Sequence, residues 1–266
     1  MRRFKGFNKM KIIIRGGLSL LVELNKIYNM DCIEFMRTLP SEFVDLIIVD
    51  PPYNIGQDGG DGWDTVENYL EVFETWVQEW KRILKKDGLI YCYCSQEFHA
   101  DIEIIFRKYL NIENRMIWCY NNGQRVTSKK YPYSYEPFFM VSKDKNNRYK
   151  SVRDPNNVQQ GVRTKKNPNG TITVTNPNPE GVKYTDVWNI PKLSGGTKKT
   201  KHKTEKPLEL GRRMIRSIED CKLIYIPFAG SGSEVINCQE AEIPYIATEL
   251  NKTYIENIIN PRLGKC

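Results

Sequence analysis

The chain has 266 residues, 40% of them hydrophobic and 27% charged, which suits a folded, soluble protein with one large domain, or one domain carrying an insertion. Lys and Arg outnumber Asp and Glu by 40 to 32, and the excess is local: residues 143 to 203 hold 14 basic and 4 acidic side chains, leaving a near-neutral body. Such a basic region points to a polyanion partner, and seven cysteines, odd in number and mostly set in apolar runs, point away from a disulfide scaffold and toward reduced core residues in a cytoplasmic protein.

Residues 1–23 read as an N-terminal extension. Arg2, Arg3 and Lys5 ahead of "KIIIRGGLSLLVEL" resemble a signal peptide, but Arg15 and Glu23 interrupt the apolar stretch. It falls short of the roughly 20 residues that span a bilayer, so an early strand or helix is expected and no membrane segment. "EFVDLIIVD" then reads as a strand, and "VENYLEVFETWVQEWKRILKKDG" has apolar residues at helical spacing that close on Gly88. "LIYCYCS" is a strand, and "FHADIEIIFRKYL" a helix. Cys92 and Cys94 alternate with Tyr91 and Tyr93, a strand pattern with no second ligand pair, so no zinc or other metal site is expected.

"NRMIWCYNN" and "YEPFFMVSKD" read as strands around the loop "GQRVTSKKYPYS". From 144 to 200 the pattern dissolves into Asn, Pro, Gly and Lys, with apolar islands at "TITVT" and "DVWNIP". Order returns with the helix "KPLELGRRMIRSIED", the strand "CKLIYIPF", the helix "GSEVINCQEAE" and the strand "IPYIATEL". Alternation of this kind implies an α/β fold: a mostly parallel sheet with helices on both faces. Residues 24–143 and 201–266 form its two halves, and 144–200 an insert.

Two stretches carry chemistry. At "DPPY", Asp50 ends a buried strand, where open α/β sheets place their ligands. Pro51 and Pro52 hold the next backbone extended and keep their carbonyls as acceptors. An acid beside a fixed carbonyl makes a clamp for an NH₂ group, and Tyr53 adds a flat face for a ring. At "PFAGSG", Gly230 and Gly232 let the backbone turn tightly against a ligand, and Glu249 follows where an acid holds ribose hydroxyls in dinucleotide folds. The third glycine of that fingerprint and the lysine of a P-loop are both missing, which points to a nucleoside rather than a pyrophosphate.

"DPPY" together with "PFAGSG" resembles the β class of amino-methylating DNA methyltransferases, in which the catalytic motif precedes the cofactor motif and a target-recognition insert lies between them. "NMDC", "SYEPFFMVSK", "DVWNIP" and "HKTEKP" extend the likeness from about Leu24 to Asn257. The resemblance implies a class I methyltransferase fold of Rossmann-like type, S-adenosylmethionine as cofactor and double-stranded DNA as partner. A cognate restriction endonuclease and a homodimer are family expectations. It also implies that Asp50 and the Pro51 carbonyl, with Pro52, hold the target amine and that Tyr53 stacks on a flipped base. Phe228, Gly230, Ser231 and Gly232 would line the cofactor, Glu249 would take the ribose, Asp31 and Cys32 would lie near the adenine, and Thr204 and Lys206 near the methionine carboxylate. Asn122, Arg125, Lys129, Lys130, Arg163, Lys165, Lys166, Lys198 and Lys199 are the expected DNA-binding residues.

The chain departs from that pattern in three places. Ile226 stands where the family usually has Asp, Lys203 where it has Pro, and Glu205 where it has Gln. Loss of the acid at 226 bears on cofactor affinity more than on the catalytic tetrapeptide. Direct transfer to adenine N6 is the reading, with cytosine N4 as the alternative because the two amines pose similar chemistry. No Pro-Cys dipeptide supplies the nucleophile of cytosine-C5 enzymes. An RNA or protein-glutamine methyltransferase would usually carry Asn at the first catalytic position and its cofactor motif first, and a catalytically weak DNA-binding relic is the non-enzymatic alternative.

Overall fold

Every residue from Val44 to Val49 is buried, as a strand must be when helices cover both faces of its sheet. The structure is a computed structural model, describing residues 9–13, 19–56, 64–124, 129, 131–158, 161–193, 200, 202 and 204–264, with backbone alone at 9–13, 19–21 and 121–124. The first half of the chain gives β1 (Lys9–Ile13), β2 (Ser19–Glu23), β3 (Lys26–Tyr28), α1 (Cys32–Thr38), β4 (Val44–Val49), α2 (Tyr69–Ile83), β5 (Leu84–Tyr93), α3 (His99–Tyr109), β6 (Asn111–Gln124) and β7 (Tyr133–Ser142). The second gives β8 (Arg153–Asp154), β9 (Arg163–Lys166), β10 (Ile172–Thr175), β11 (Val182–Lys183), β12 (Val187–Asn189), α4 (Leu208–Arg216), β13 (Ile224–Ile226), α5 (Ser233–Glu240), β14 (Tyr245–Thr248), α6 (Lys252–Tyr254), a π-helical turn (Ile255–Ile259) and α7 (Asn260–Arg262).

Eight strands form one sheet in the order β12-β6-β7-β5-β4-β13-β14-β3. Only β7 runs antiparallel to its neighbours in it. Side chains alternate between two apolar layers. Ile47, Val49, Cys92 and Cys94 join Phe35, Phe73, Trp80 and Phe106 from α1, α2 and α3. Leu46, Ile48, Tyr91 and Tyr93 join Leu210, Met214, Val235 and Cys238 from α4 and α5. The chain leaves β4 through α2 toward one side of the sheet and leaves β13 through α5 toward the other. The boundary between β4 and β13 is therefore a topological switch point, where a crevice forms at the strands' carboxyl ends.

Two boundaries differ from the sequence pattern. The helix expected to run to Gly88 stops at Ile83, because Leu84 already pairs with Val44 in the sheet. Gly88 serves a close strand approach instead: a Cβ there would lie 2.7 Å from the Asp45 carbonyl oxygen. The short elements β3, α1, α6 and α7 carry too few residues for a periodic signal. The described residues of the N-terminal extension, open between strand and helix in the sequence, form an antiparallel pair of strands, β1 and β2.

Residues 144–200 are tied to the α/β body at both ends. Lys150 and Glu219 exchange backbone bonds with the segments across from them, Lys150 N–H to Ser217 and Glu219 N–H to Arg148, and β12 extends the main sheet beside β6. Between these ties stand β8 paired with β11 and the β9–β10 hairpin, which is exposed along its length.

Asp45 fastens this arrangement from below. Only 1% of its side chain is exposed, and it accepts from Lys85 Nζ at 2.8 Å and Arg148 at 2.5 Å and from the backbone N–H groups of Lys222 and Leu223 at 3.0 and 2.9 Å. Burial raises its pKa, but the lysine, the arginine and the amides outweigh that and leave it below the usual carboxylate value. A depressed folded pKa adds stability above the unfolded pKa that is lost as pH falls through the folded one. Replacing Asp45 with Ala is expected to cost about 3 kcal/mol in urea denaturation at pH 7, with the gap to wild type narrowing as the solution is acidified below pH ~4.

Candidate active site

The residues that follow β4, β13, β14 and β3 converge on one cavity of ≈ 400 Å³, within the range of small-molecule sites. Asp50, Pro51, Pro52 and Tyr53 enter it from β4. Tyr69 of α2 donates its hydroxyl to the Pro52 carbonyl at 2.9 Å and fixes that turn. Asp64 closes the following loop by accepting from the Asn54 N–H at 2.7 Å, while the Asn54 side chain accepts from Val66 N–H at 2.6 Å.

At the catalytic end sits an ion network assembled from distant parts of the chain. Lys206 Nζ donates to both Asp50 oxygens at 2.8 Å and lies 3.5 Å from Glu136 on β7. Tyr53 donates to Asp50 Oδ1 at 3.0 Å and sits 3.3 Å from Glu136 Oε2. Lys192, just past β12, pairs with Glu136 at 2.9 Å and lies 4.0 Å from the centre of the Tyr120 ring. Lys206 lies 5.2 Å from the Tyr53 ring centre and 5.1 Å from that of Tyr93.

Burial sets the electrostatics. It pushes the Asp50 carboxyl up, against the pull of Lys206. At Glu136 burial is outweighed by Lys206 and Lys192, which hold its carboxyl below the ordinary value. Tyr53 is raised well above a normal phenol by burial and by the charges of Asp50 and Glu136, so it remains a neutral donor. An ionised carboxylate offers about four acceptor sites; among the described residues Lys206 and Tyr53 take three on Asp50.

The other end has the form of a nucleoside site. Gly230 adopts φ +48° and Gly232 φ +77°. The Gly230 N–H donates to Glu249 Oε2 at 2.8 Å, and the Asn251 N–H donates to Glu249 Oε1 at 2.8 Å, so the glycine turn and the acid at the end of β14 hold one another. Burial raises the Glu249 carboxyl, opposed by those amides. Asp31 caps α1, accepting from Ile33 and Glu34 N–H at 2.8 and 3.1 Å. Trp76 meets Phe228 edge-on with ring centres 5.1 Å apart, giving an apolar wall. An aromatic wall, a strand-end acid and a glycine turn fit an adenosine, and Thr204 and Lys206 at the other end fit a charged tail.

Of the residues singled out in the sequence, Asp31, Cys32, Asp50, Pro51, Pro52, Tyr53, Thr204, Lys206, Phe228, Gly230, Ser231 and Glu249 all line this cavity. Gly232 does not: it caps α5 and allows Ile259 to approach, since a Cβ there would meet that side chain at 2.8 Å. Ile226 is fully buried in the apolar layer against α5, so no acid reaches the cavity from that position. Glu205 binds Arg262 at 3.2 Å. Arg163, Lys165, Lys166 and Lys129 are exposed, the first three on the β9–β10 hairpin. Asn122 is on β6 with its side chain outside the described residues, as are Arg125, Lys130, Lys198 and Lys199. Among the charged site residues that the motifs do not mark are Glu136, Lys192 and Glu234, and among the aromatic ones Tyr69 and Trp76. Glu136 opens an apolar strand and Lys192 follows one, which is the only local signal either gives; Glu234 looks like any first-turn helix acid.

A family model described as DNA methylase, of the N6/N4 amino-methylating type, matches residues 44–260. The chain belongs to this DNA methylase family. Members transfer a methyl group from S-adenosylmethionine to an exocyclic amine of DNA. Relatives include the DNA adenine methyltransferase YhdJ of Escherichia coli, 30% identical over 88% of this chain and 81% of that one, and the type II methyltransferase M1.MboII of Moraxella bovis, 27% identical over 88% and 95%. The fold matches the M1.HpyAVI–SAM complex with a TM-score of 0.63 at 23% identity, over 90% of this chain and 98% of that one. It matches the cytosine-N4-specific PvuII methyltransferase with a TM-score of 0.62 at 14% identity, over 86% and 83%. The mostly parallel sheet is therefore that of class I methyltransferases.

Because the buried Lys206 is the counter-ion of two partly buried acids, Lys206→Met is expected to lower stability by about 3 kcal/mol in urea denaturation at pH 7. Adding Asp50→Asn should recover part of the loss, since it removes one stranded charge.

Proposed function

We propose that this methylase acts on adenine N6 in duplex DNA, taking the base out of the helix and into the mouth of the cavity. The observation that carries the reading is the catalytic end itself: Asp50, whose described donors Lys206 and Tyr53 take three of about four acceptor sites, lines the cavity together with Pro51, Pro52 and Tyr53. An amine presents two protons, and the Asp50 carboxylate and the Pro51 carbonyl match them. When bound, S-adenosylmethionine supplies an electrophilic methyl group on a sulfonium.

The protein's part is to hold the amine and its protons. The lone pair of an aromatic amine is delocalised into the ring. Hydrogen bonds to Asp50 and the Pro51 carbonyl favour the tetrahedral nitrogen that attack requires and stabilise the positive charge it gains. Asp50 must be ionised to do this, and Lys206 opposes the burial that would otherwise protonate it. Formation of the N–C bond would be matched by loss of the methyl–sulfur bond, its electron pair going to sulfur, and Asp50 would receive the amine proton that is released and pass it to solvent. Extruding the base costs a few kcal/mol, offset by stacking on Tyr53 and by the hydrogen bonds at the amine. Asp rather than Ser at the first catalytic position supports adenine, as does the likeness to an adenine methyltransferase. The shared fold of a cytosine-N4 enzyme keeps that amine as the second reading.

Arg163, Lys165 and Lys166 project from an exposed hairpin, where they are proposed to grip phosphate, and Lys129, exposed in the β6–β7 loop, joins them. Arg125, Lys130, Lys198 and Lys199 extend the same proposal from the sequence. The chain is proposed to work in the cytoplasm.

Mixed-sequence duplex DNA treated with the protein and S-adenosylmethionine, then digested to nucleosides, is expected to yield N6-methyladenine by mass spectrometry. Asp50→Ala should lower kcat about 10²–10³-fold, the scale of losing one transition-state hydrogen-bonding group. N4-methylcytosine instead would transfer the mechanism to the other base. Lys165→Ala with Lys166→Ala should flatten the salt dependence of DNA affinity by about 0.9 in log–log slope for each phosphate no longer neutralised, without altering the methylated base.

A further inference from the structure

Among the described residues five carboxylates line the cavity: Asp31, Asp50, Asp64, Glu234 and Glu249. Four have donors. Asp31, Asp64 and Glu249 accept from backbone N–H groups, and Asp50 accepts from Lys206 and Tyr53. Glu234, in the first turn of α5, is 6% exposed and has no cation or side-chain donor within bonding distance among the described residues. Its carboxyl is served by its own backbone N–H.

A nearly buried, unpaired carboxylate is costly unless something arrives to pair with it. Burial raises its pKa to about 7, with the Asp50 charge adding to the shift and Lys206 and Arg262 opposing it. The groups around it are Asp50 beyond β4, Tyr93 on β5, Lys206 ahead of α4, Cys238 on α5 itself and Arg262 on α7. Both cations are already committed, Lys206 to Asp50 and Arg262 to Glu205.

The chemistry of the methyl donor says what arrives. Its sulfur carries the methyl, the ribose carbon and an amino-acid chain. With the methyl directed at Asp50 and the ribose at Glu249, the amino-acid chain falls to the remaining wall, where Thr204, Lys206, Ser231 and Glu234 stand. That chain ends in a carboxylate and an ammonium. We propose that Glu234 is the counter-ion of the donor's α-ammonium, so that α5 supplies the acid that β13, with Ile226 in the apolar layer, cannot. The proposal rests on the cofactor-site reading above.

The test is calorimetric, with S-adenosylhomocysteine, its analogue lacking the α-amino group, and 5′-methylthioadenosine as ligands for wild type and Glu234→Gln. Wild type is expected to prefer S-adenosylhomocysteine over the deamino analogue, and Glu234→Gln to weaken S-adenosylhomocysteine about 10- to 100-fold, the scale of a charged hydrogen bond. The same variant should leave the deamino analogue and methylthioadenosine within about twofold, so that the amine preference disappears. A preference kept by the variant, or equal weakening of all three ligands, overturns the proposal. So does a loss of methyl transfer at unchanged affinity, which would make Glu234 a proton acceptor. If wild type binds none of the three, the cofactor-site reading fails with it.

A second readout needs no ligand. A carboxyl whose folded pKa lies above its unfolded one destabilises the fold as pH rises between the two values. Ligand-free Glu234→Gln should therefore melt above wild type at pH 8, with the gap closing as pH falls through about 7 toward 4.5. A variant that melts below wild type at pH 8 would mean that the carboxylate is already partnered, and the proposal would fall.

Discussion

On the proposed mechanism a carboxylate has to stay ionised in a place where burial favours its acid form, and this is the constraint around which the site is built. Asp50 comes to the end of β4 because the strand beneath it is buried at every position, and the same water-excluding surroundings push its pKa up. Lys206, 156 residues further on, answers with two bonds of 2.8 Å. It is itself 6% exposed, so neither charge is tolerable without the other. This mutual dependence ties the catalytic loop to the segment before α4. Glu136 and Lys192 extend it to β7 and to the edge strand β12, so the network reaches from the switch point to the edge of the sheet.

The scaffold below that network was legible to the extent that it repeated. Long periodic segments gave α2, α3, β5, β6 and β7 because each buries a face many residues long. The mostly parallel sheet followed from the strand–helix alternation but its strand order did not, and β3 and α1 were silent at three and seven residues. Gly88 misled because a glycine after a helical pattern reads as a stop, whereas here it relieves a strand crossing at Asp45. The edge strand β12 showed as an apolar island in polar chain, but nothing local says that its partner would be β6.

At the site, legibility followed backbone demands. Asp-Pro-Pro-Tyr and the glycine turn are visible because prolines and glycines each restrict or free the chain in a known way. Gly230 and Glu249 even showed their relation by spacing, which the 2.8 Å bond between them makes literal. Glu136, Lys192 and Glu234 were invisible for the opposite reason. Each is a single charged residue in an ordinary element, and its meaning is the neighbour that the fold brings to it. The departure at Ile226 is the sharpest case: read along the chain it is an acid lost, whereas in space an acid stands on the adjoining helix and reaches the same cavity.

Charge is also divided by task. Among the described residues, the cavity's catalytic end gathers Asp50, Glu136 and Glu234 around Lys206 and Lys192, and these carry no positive surplus to attract phosphate. The surplus sits outside, where Arg163, Lys165 and Lys166 are exposed on their hairpin. Exposed charges act at a distance and are screened by salt, whereas a buried ion network is screened little. On the proposed reading a polyanion is drawn to the arm and refused by the cavity. What can enter is the neutral edge of a base, and within that edge the group best suited to two fixed acceptors is an amine. Selection of the base thus begins before any hydrogen bond forms, with the exclusion of the backbone that carries it.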